Sequence, residues 1–258
     1  MIRVGIGGWK YEPWRKTFYP KGLSQARELE YASRALTTLE VNNTFYRTPS
    51  AKIIREWYDQ TPDNFVFSLK ASSYATNRKV LGDAGPSIER FLGSGISELK
   101  TKLGPILWQL APYKKFDRGD MQSFLGLLPA TVDGVRLRHA IEVRHESFCS
   151  PDFVKLARES NVAIVFADSE KYPAIDEVTA DFAYARLMRA KASVKTGYTP
   201  AELKKWQACA KEWERGQTPA KGASGSARET GRDVFVYMIN GAKERAPAAA
   251  TAFLERLA

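Results

Sequence analysis

The amino-acid sequence predicts a single α/β domain over residues 1–258, folded as a (β/α)8 TIM-like barrel. Three observations support this fold class. Eight short segments rich in β-branched and aliphatic residues recur along the chain, helix-like stretches separate them, and a last helix-like stretch follows the eighth segment. Barrels of this class reach about 250 residues without dividing into two domains. The length and the alternation therefore favour the same architecture.

The strands are predicted from their length and aliphatic composition. They begin near Ile2, Thr38, Asn64, Pro105, His139, Val162, Phe182 and Val234. Helices are predicted between them, including residues 23–36, 51–60, 87–99 and 151–160, and a final helix over 246–257 closes the ring. Parallel strands need crossovers of about a dozen residues or more, which the spacing supplies. An open doubly wound sheet would also satisfy this alternation, but the count of eight favours the closed barrel.

The composition is that of an ordinary globular protein, with 44% hydrophobic and 12% aromatic residues. Such a chain can bury enough apolar surface to offset its conformational entropy. No run of 18 apolar residues occurs, and the N-terminus enters a strand-like segment without the sections of a signal peptide. We therefore expect no membrane segment and a cytoplasmic location.

The net charge of +10 indicates an anionic partner. The excess is concentrated in residues 186–232, which hold 11 Lys or Arg and four Asp or Glu. Within this region, residues 216–231 are rich in Gly, Ser and Lys and predict a flexible basic loop before the last strand. A solvated basic face explains such a charge run, and nucleic-acid binding is the alternative.

The sequence predicts no cofactor. Its only cysteines, Cys149 and Cys209, lie far apart without CxxC spacing, which argues against a disulfide framework or a structural zinc site. Its only histidines are His139 and His145, whereas zinc and iron hydrolase sites usually take more than one imidazole. A divalent metal bound by carboxylates alone stays open.

Polar side chains stand at the carboxyl ends of the predicted strands, where barrel enzymes place their chemistry. Glu40 and Asn42 lie two residues apart at the end of strand two, and Glu142 and Arg144 do the same at the end of strand five. Residues two apart in a strand point to the same face, while their aliphatic neighbours point to the helices. We therefore expect these four side chains to face the barrel axis.

Four further strands carry a polar residue at or near the same end. Lys70 follows strand three, Gln109 lies in strand four, Asp168 follows strand six and Arg186 follows strand seven. A buried charge without a partner is costly, so six strands that deliver polar groups to one mouth predict a shared pocket. An internal ion-pair network that merely fills the top of the barrel is the alternative.

The candidate catalytic residues are Glu40, Glu142, Lys70 and Asp168. The two glutamates are the candidates for proton transfer, because a crowded pocket can drive the pKa values of two carboxyl groups apart. Lys70 supplies a positive charge or, if it is desolvated, a nucleophile.

Lys70, Arg144 and Arg186 are expected to hold an anion such as a phosphate or carboxylate, which the planar fork of arginine binds with two hydrogen bonds. Trp9 and Tyr46, which lie closest to strand ends among the aromatic residues, can wall the pocket and stack on a sugar or base. Gln109 and Asn42 add amide groups. Asn240 ends strand eight, near the place where many barrels bind phosphate.

Several motifs taken together resemble the YecE-like family of unknown function. They are Gly7-Gly8-Trp9, Phe18-Tyr19-Pro20, Asn42-Asn43-Thr44-Phe45-Tyr46-Arg47, Phe67-Ser68-Leu69-Lys70, Leu107-Trp108-Gln109-Leu110, Glu142-Val143-Arg144-His145, Asp168 and Tyr184-Ala185-Arg186-Leu187. They follow one another in the family's order along nearly the whole chain. The resemblance implies a TIM-like barrel. It also implies a pocket built from Glu40, Asn42, Tyr46, Lys70, Gln109, Glu142, Arg144, His145, Asp168 and Arg186.

The chain departs from the family pattern in three places. The family's threonine-histidine after strand three is Thr76-Asn77 here, and its histidine-glycine after strand seven is Met188-Arg189. Its aromatic-asparagine-asparagine ending of strand eight is Met238-Ile239-Asn240. Two imidazoles and one amide are therefore missing, so the resemblance implies neither a metal-driven nor a histidine-driven mechanism for this chain.

Three functions are consistent with these residues. The first is an enzyme, such as a hydrolase, lyase or isomerase, that uses carboxylate acid/base chemistry on a small phosphorylated or carboxylated, sugar-like substrate. The second is a nucleic-acid-binding or nucleic-acid-processing protein, although no recognised binding motif occurs. The third is a barrel that binds a small anionic ligand without catalysis.

Overall fold

The computed structural model describes residues 1–217 and 231–257, and it confirms the α/β barrel. The strand segments of the barrel are β1 (Ile2–Gly7), β2 (Thr38–Val41), β3 (Val66–Lys70), β4 (Leu103–Gln109), β7 (Arg138–Glu142), β8 (Ala163–Ile164), β9 (Phe166–Asp168), β10 (Phe182–Leu187) and β11 (Asp233–Met238). Two short strands, β5 (Thr131–Val132) and β6 (Val135–Arg136), form a separate antiparallel pair.

The barrel closes at a strand that is split in two. The order of the segments is β8-β7-β4-β3-β2-β1-β11-β10-β9, and every pair is parallel. β8 pairs with β7, β9 pairs with β10, and Val165 stands between β8 and β9. The backbone N–H of Val165 donates to the carbonyl oxygen of Ile141 at 2.9 Å. β8 and β9 together are therefore the sixth strand of an eight-stranded barrel.

Side chains alternate between the barrel interior and the helix layer. Along β11, Phe235 and Tyr237 belong to the interior cluster, whereas Val234, Val236 and Met238 belong to the larger cluster under the helices. This is the pattern of a parallel strand that is buried on both faces. The same alternation decides which strand-end polar groups reach the barrel axis.

The helices pack around this barrel. They are α1 (Glu28–Ala35), α2 (Ala51–Gln60), α3 (Ser73–Thr76), α4 (Gly85–Leu92), α5 (Arg118–Gly126), α6 (Pro151–Glu159), α7 (Pro200–Glu214) and α8 (Ala246–Leu254). Local sequence explains several of their ends. Ser150 caps α6 by accepting from the N–H of Phe153, and Pro151 occupies its first turn.

Three predicted helices end earlier or begin later in the structure. The helix predicted over 87–99 ends at Leu92, because Gly95 adopts a φ of 96° that favours glycine, and a 3₁₀ segment (Ile96–Lys102) follows. The helix predicted over 23–36 begins at Glu28, after a 3₁₀ turn (Gln25–Arg27). The helix predicted over 246–257 ends at Leu254.

The basic loop predicted over 216–231 lies almost wholly outside the described residues and stays a prediction. Within residues 1–217 and 231–257, no helix has both the length and the apolar character needed to cross a membrane.

Candidate functional site

Arg186 is the centre of a buried ion network at the carboxyl end of the barrel strands. Its Nε and Nη2 atoms each donate to Glu40 at 3.0 Å, and its Nη1 atom donates to Glu142. Arg186 is 2% exposed, and both glutamates are fully buried. These residues lie on β10, β2 and β7, so residues far apart in sequence meet in one place, as predicted from the strand ends.

Glu40 is further held by neutral donors. The Tyr184 hydroxyl donates to it at 2.6 Å, and the side-chain amide of Asn42 donates at 3.0 Å. Burial and the adjacent Glu40 raise the pKa of Tyr184 well above its ordinary value, so this phenol stays protonated and donating. Ser68 lies 2.9 Å from the same hydroxyl and extends the network into the barrel.

Glu142 accepts from Gln109 at 3.1 Å and from the Nε atom of Arg144 at 2.8 Å. Burial by itself would raise the pKa of Glu142, but Arg186 and Arg144 outweigh it and hold this pKa below its ordinary value. Burial would likewise lower the pKa of Arg186, whereas Glu142 and Glu40 hold it above the ordinary range. The network therefore keeps its charges at neutral pH.

The two glutamates, which were predicted to transfer protons, lie beneath Arg186 and do not line the cavity. A general acid or base needs a route to the proton that it transfers, and both carboxylates are fully buried and bonded to charged or neutral donors. Glu142 is also stabilised as an anion, which opposes a role as a general acid. Both carboxylates instead orient the guanidinium of Arg186.

A cavity of about 500 Å³ opens above this network at the barrel mouth. In the part of the chain that the structure describes, no Asp or Glu side chain lines it. Five cationic residues do: Lys10, Lys70, Arg144, Arg186 and Lys243. Aromatic and amide residues complete the walls: Trp9, Asn42, Asn43, Tyr46, Trp57, Gln109 and Asn240. The lining is suited to an anion with an adjoining ring or sugar.

Lys70 differs from Lys102, the other lysine that is buried among the described residues. It is 8% exposed, and its Nζ atom lies 3.9 Å from the centroid of the Phe45 ring. Among the described residues its ammonium group has no hydrogen-bond or salt-bridge partner, whereas Lys102 donates to the carbonyl oxygens of Tyr58 and Thr61, both at 2.7 Å. Burial, and secondly the charge of Arg186, lower the pKa of Lys70 to about 8.

Arg144 lies between Glu142 and a ring. Its guanidinium is 4.3 Å from the centroid of Tyr172, and its Nε atom is taken by Glu142. Within the described ranges its two terminal nitrogens have no protein partner. Arg144 therefore combines a fixed orientation with free donors at the cavity.

Two predicted site residues lie elsewhere. Ala167 faces the barrel interior, so its neighbours Phe166 and Asp168 point to the helix layer. Phe166 packs there on Trp206 of α7. Asp168 lies 3.8 Å from Arg189, and burial raises its pKa. Asp168 therefore does not line the cavity.

His145 also lies outside the cavity lining. Its Nδ1 atom lies 2.9 Å from the Ser147 hydroxyl and accepts from the Ser147 N–H, which caps a 3₁₀ turn (Glu146–Phe148). Tyr46 stands at the cavity rim with 77% exposure, and Asn240 is also exposed there.

No group of three or more His, Cys, Asp or Glu side chains in the described residues is arranged to hold a metal ion. Glu40 and Glu142 both accept from Arg186. Sequence reasoning missed Lys10, Lys243 and Trp57 as cavity residues. The first two lie just beyond the ends of β1 and β11, so a search of the loops as well as the strand ends would have found them.

A family model described as "Protein of unknown function DUF72" matches residues 3–258. Over 149 residues, 57% of this chain, the sequence is 26% identical to UPF0759 protein YecE of Escherichia coli K12 and of Escherichia coli O157:H7. The match covers 50% of each protein, so the chain spans about half the length of the curated relatives it matches.

Solved structures show the same fold. A DUF72 family protein from Thermotoga maritima MSB8 has a TM-score of 0.76 at 21% identity, covering 100% of this chain and 99% of that one. One from Enterococcus faecalis V583 has a TM-score of 0.69 at 19% identity, covering 100% and 97%. A xylose isomerase-like TIM barrel/4-hydroxyphenylpyruvate dioxygenase fusion protein has a TM-score of 0.51 at 13% identity, covering 96% and 41%. At these identities the likeness concerns the fold alone.

Proposed function

We propose that this chain is an enzyme that acts on a small anionic substrate. The chain belongs to the DUF72 family of proteins of unknown function, as its YecE-like motifs predicted. The substrate carries a phosphate or carboxylate group and has a sugar-like body. It binds in the cavity at the mouth of the barrel. The barrel fold positions the cavity, and the side chains that line it indicate the class of ligand.

The observation that carries this proposal is the charge of the cavity lining. Five cations and no carboxylate line the hollow in the described part of the chain. The two nearby carboxylates lie beneath Arg186, and their ion pairs with Arg186 and Arg144 offset their charges, which reduces their repulsion of an anion in the cavity. Cations in a partly desolvated cleft raise the local concentration of anions and bind them with charge-assisted hydrogen bonds.

The body of the ligand would lie against the aromatic wall. Trp9 and Trp57 pack edge to face with centroids 5.3 Å apart, and Trp57 and Tyr46 both line the cavity. Tryptophan presents a large rigid face at a small entropic cost, which suits a sugar ring. Asn42 and Gln109 add amide groups that can bond to hydroxyls.

Isothermal titration tests the ligand class. Glucose 6-phosphate and inorganic phosphate are expected to bind, and glucose is expected to bind at least about tenfold more weakly because it lacks the charged group. Arg144→Gln should weaken phosphate binding about tenfold through the loss of charged hydrogen bonds.

The matched control is Arg118→Gln, since Arg118 is an exposed arginine 3.9 Å from Asp152, outside the cavity. Equal binding of glucose and its phosphate, or equal losses in the two arginine variants, would contradict the proposal. Thermal stabilisation by a substrate that the protein never converts would instead support the ligand-binding protein without catalysis.

A second candidate function, nucleic-acid binding, is favoured by a groove that continues from the cavity. Tyr46 lines both the cavity and this groove, whose other residues include Arg47, Tyr74 and Arg90. Tyr74 is 74% exposed, and exposed aromatic rings beside arginines are typical of single-strand binding surfaces. Fluorescence anisotropy with a labelled oligonucleotide tests it. Affinity that stays constant as salt rises, or survives Tyr74→Ala unchanged, would count against this function.

A further inference from the structure

We propose that Lys70 is a nucleophile that forms an imine with the carbonyl carbon of an anionic aldehyde or ketone bound in the mouth cavity. This inference rests on the proposed anion-binding function and narrows its substrate class to carbonyl compounds, such as 2-oxo acids and open-chain sugar phosphates. It assigns to Lys70 the covalent step, and to the arginines the retention of the anionic group.

The ammonium group of Lys70 has no acceptor among the described residues. Lysines that serve the fold of this chain are held by acceptors. Lys102 donates to two carbonyl oxygens at 2.7 Å, and Lys114 bonds to Asp120 at 2.5 Å and to the Lys79 carbonyl oxygen at 2.6 Å. Lys70 has no such acceptor in the described residues, and its side chain instead lines the mouth cavity. Its amine is therefore not committed to a structural contact and can meet a ligand bound there.

The carboxylates nearest Lys70 are already bound to other cations. Glu40 and Glu142 accept from Arg186, and Glu142 also accepts from Arg144. Both carboxylates act to raise the pKa of Lys70, but neither forms a hydrogen bond or salt bridge with it, and burial and Arg186 outweigh them. Two neighbouring cations also disfavour an additional positive charge at the same place.

These surroundings make the free amine accessible near neutral pH. Burial and Arg186 lower the pKa of Lys70 from 10.5 to about 8. About one Lys70 side chain in ten is then neutral at pH 7, against about one in 3,000 for a lysine with the ordinary value. The cation–π contact with Phe45 acts in the opposite direction, because it favours the ammonium form, but it does not restore the ordinary pKa.

The placement of Lys70 suits a covalent step. It ends β3, faces the barrel interior between the outward residues Leu69 and Ala71, and lines the same cavity as Arg144 and Arg186. An anionic group held by the arginines would bring a carbonyl carbon next to the amine. Holding two reacting groups together in this way replaces an encounter in solution by a reaction within one complex.

The step is balanced without any further reactant. The lone pair of the Nζ atom adds to the carbonyl carbon, and the carbonyl π electrons move to oxygen, which takes up a proton. The carbinolamine then loses its oxygen as water, carrying away two protons that the ammonium originally held. The product is an iminium that keeps one positive charge, which withdraws electrons from the adjacent carbon.

Reductive trapping tests this inference in the full-length protein. Glyoxylate, an anionic aldehyde, is added with cyanoborohydride at pH 7, and tryptic mass spectrometry locates the resulting carboxymethyl group. Lys10 and Lys243 line the same cavity and serve as internal controls in the same sample. Lys243 is the stricter control, because burial lowers its pKa too. We expect modification of Lys70 to exceed that of either control by at least about tenfold, because Arg144 and Arg186 hold the glyoxylate carboxylate beside Lys70.

A neutral aldehyde, glycolaldehyde, separates nucleophilicity from anion binding. Arg144→Gln should slow trapping of Lys70 by glyoxylate and leave trapping by glycolaldehyde unchanged. Preferential modification of Lys243 or Lys10, or equal modification of all three lysines, would overturn the proposal for Lys70.

Phosphate binding measured by calorimetry distinguishes the two proposals from each other. If phosphate binds and Lys70 remains unmodified by both aldehydes, the imine is refuted while the anion site stands. If phosphate does not bind and glycolaldehyde still modifies Lys70 preferentially, the nucleophile stands and the anion site fails. If neither occurs, both proposals fail.

Discussion

Arg186→Met removes the cation that joins two buried glutamates. Glu40 loses two hydrogen bonds at 3.0 Å and keeps two neutral donors, while Glu142 loses one hydrogen bond and keeps Arg144. Removing one partner of a buried ion pair costs about 3–5 kcal/mol, because a charge is left without compensation. Since both carboxylates are fully buried, we expect the free energy of unfolding to fall by about 4–5 kcal/mol at pH 7.

The loss should shrink as the pH falls. In the native chain the folded pKa of Glu142 is below its ordinary 4.5, because Arg186 and Arg144 outweigh burial. The stability it contributes is therefore present above about pH 4.5 and is lost as the pH falls through the folded pKa. Without Arg186, burial has less opposition and raises the pKa of Glu142, so the folded variant takes up a proton more readily as the pH falls. The variant should gain stability relative to the native chain between pH 7 and pH 5.

Urea unfolding at pH 7 and pH 5, followed by circular dichroism, measures both effects. The control is Arg118→Met, because Arg118 is 54% exposed and lies 3.9 Å from Asp152. Exposed pairs of this kind contribute less than about 1 kcal/mol. An Arg186→Met variant within about 1 kcal/mol of the native protein at pH 7, or a difference that widens on acidification, would refute the reasoning.

Three further predictions follow from single contacts. Lys70→Met should raise the free energy of unfolding by about 1–3 kcal/mol at pH 7, as measured by urea unfolding. The folded pKa of Lys70, about 8, lies below the ordinary 10.5, so this gain should disappear as the pH rises from 8 to 10.5. Gly5→Ala places a β-carbon 2.0 Å from the Thr38 carbonyl oxygen and should cost more than about 2 kcal/mol in thermal unfolding, whereas Gly126→Ala meets no atom within 4 Å and should be neutral or slightly stabilising. Asp168→Asn should leave phosphate affinity by calorimetry unchanged, because Asp168 does not line the cavity; a marked loss would place it back in the site.

The direction of a strand-end side chain was predictable where inward and outward residues alternate up to the polar residue. Glu40, Lys70 and Arg186 each stand between two outward aliphatic or alanine neighbours, so a period of two predicts their inward direction. The direction of Asp168 was not predictable in this way, because the sixth strand presents Val165 and Ala167 to the barrel interior. The sequence does not show which of its residues point inward, since they have short side chains and the strand is interrupted between β8 and β9.

The chemical roles of the polar residues could not be predicted in the same way. Both glutamates were expected to transfer protons, but this depends on which donors reach them and on whether they meet the cavity. Arg186 takes both carboxylates, and Lys70 is left as the buried ionisable group at the cavity without a hydrogen-bond or salt-bridge partner in the described residues. The residue type limits the chemistry available to a side chain, whereas its hydrogen-bond and charge partners determine its protonation state and its role.

The sequence by itself determined the barrel, the family and the group of polar residues at its mouth, because strand periodicity and hydrophobic patterning are local and act within a few residues. Only the tertiary structure decided the sign of the charge on the cavity lining, with the carboxylates beneath the cavity and the cations along its wall. Electrostatic pairing depends on distances of about 3–4 Å between residues more than a hundred positions apart, such as Glu40 and Arg186, and no local pattern specifies them.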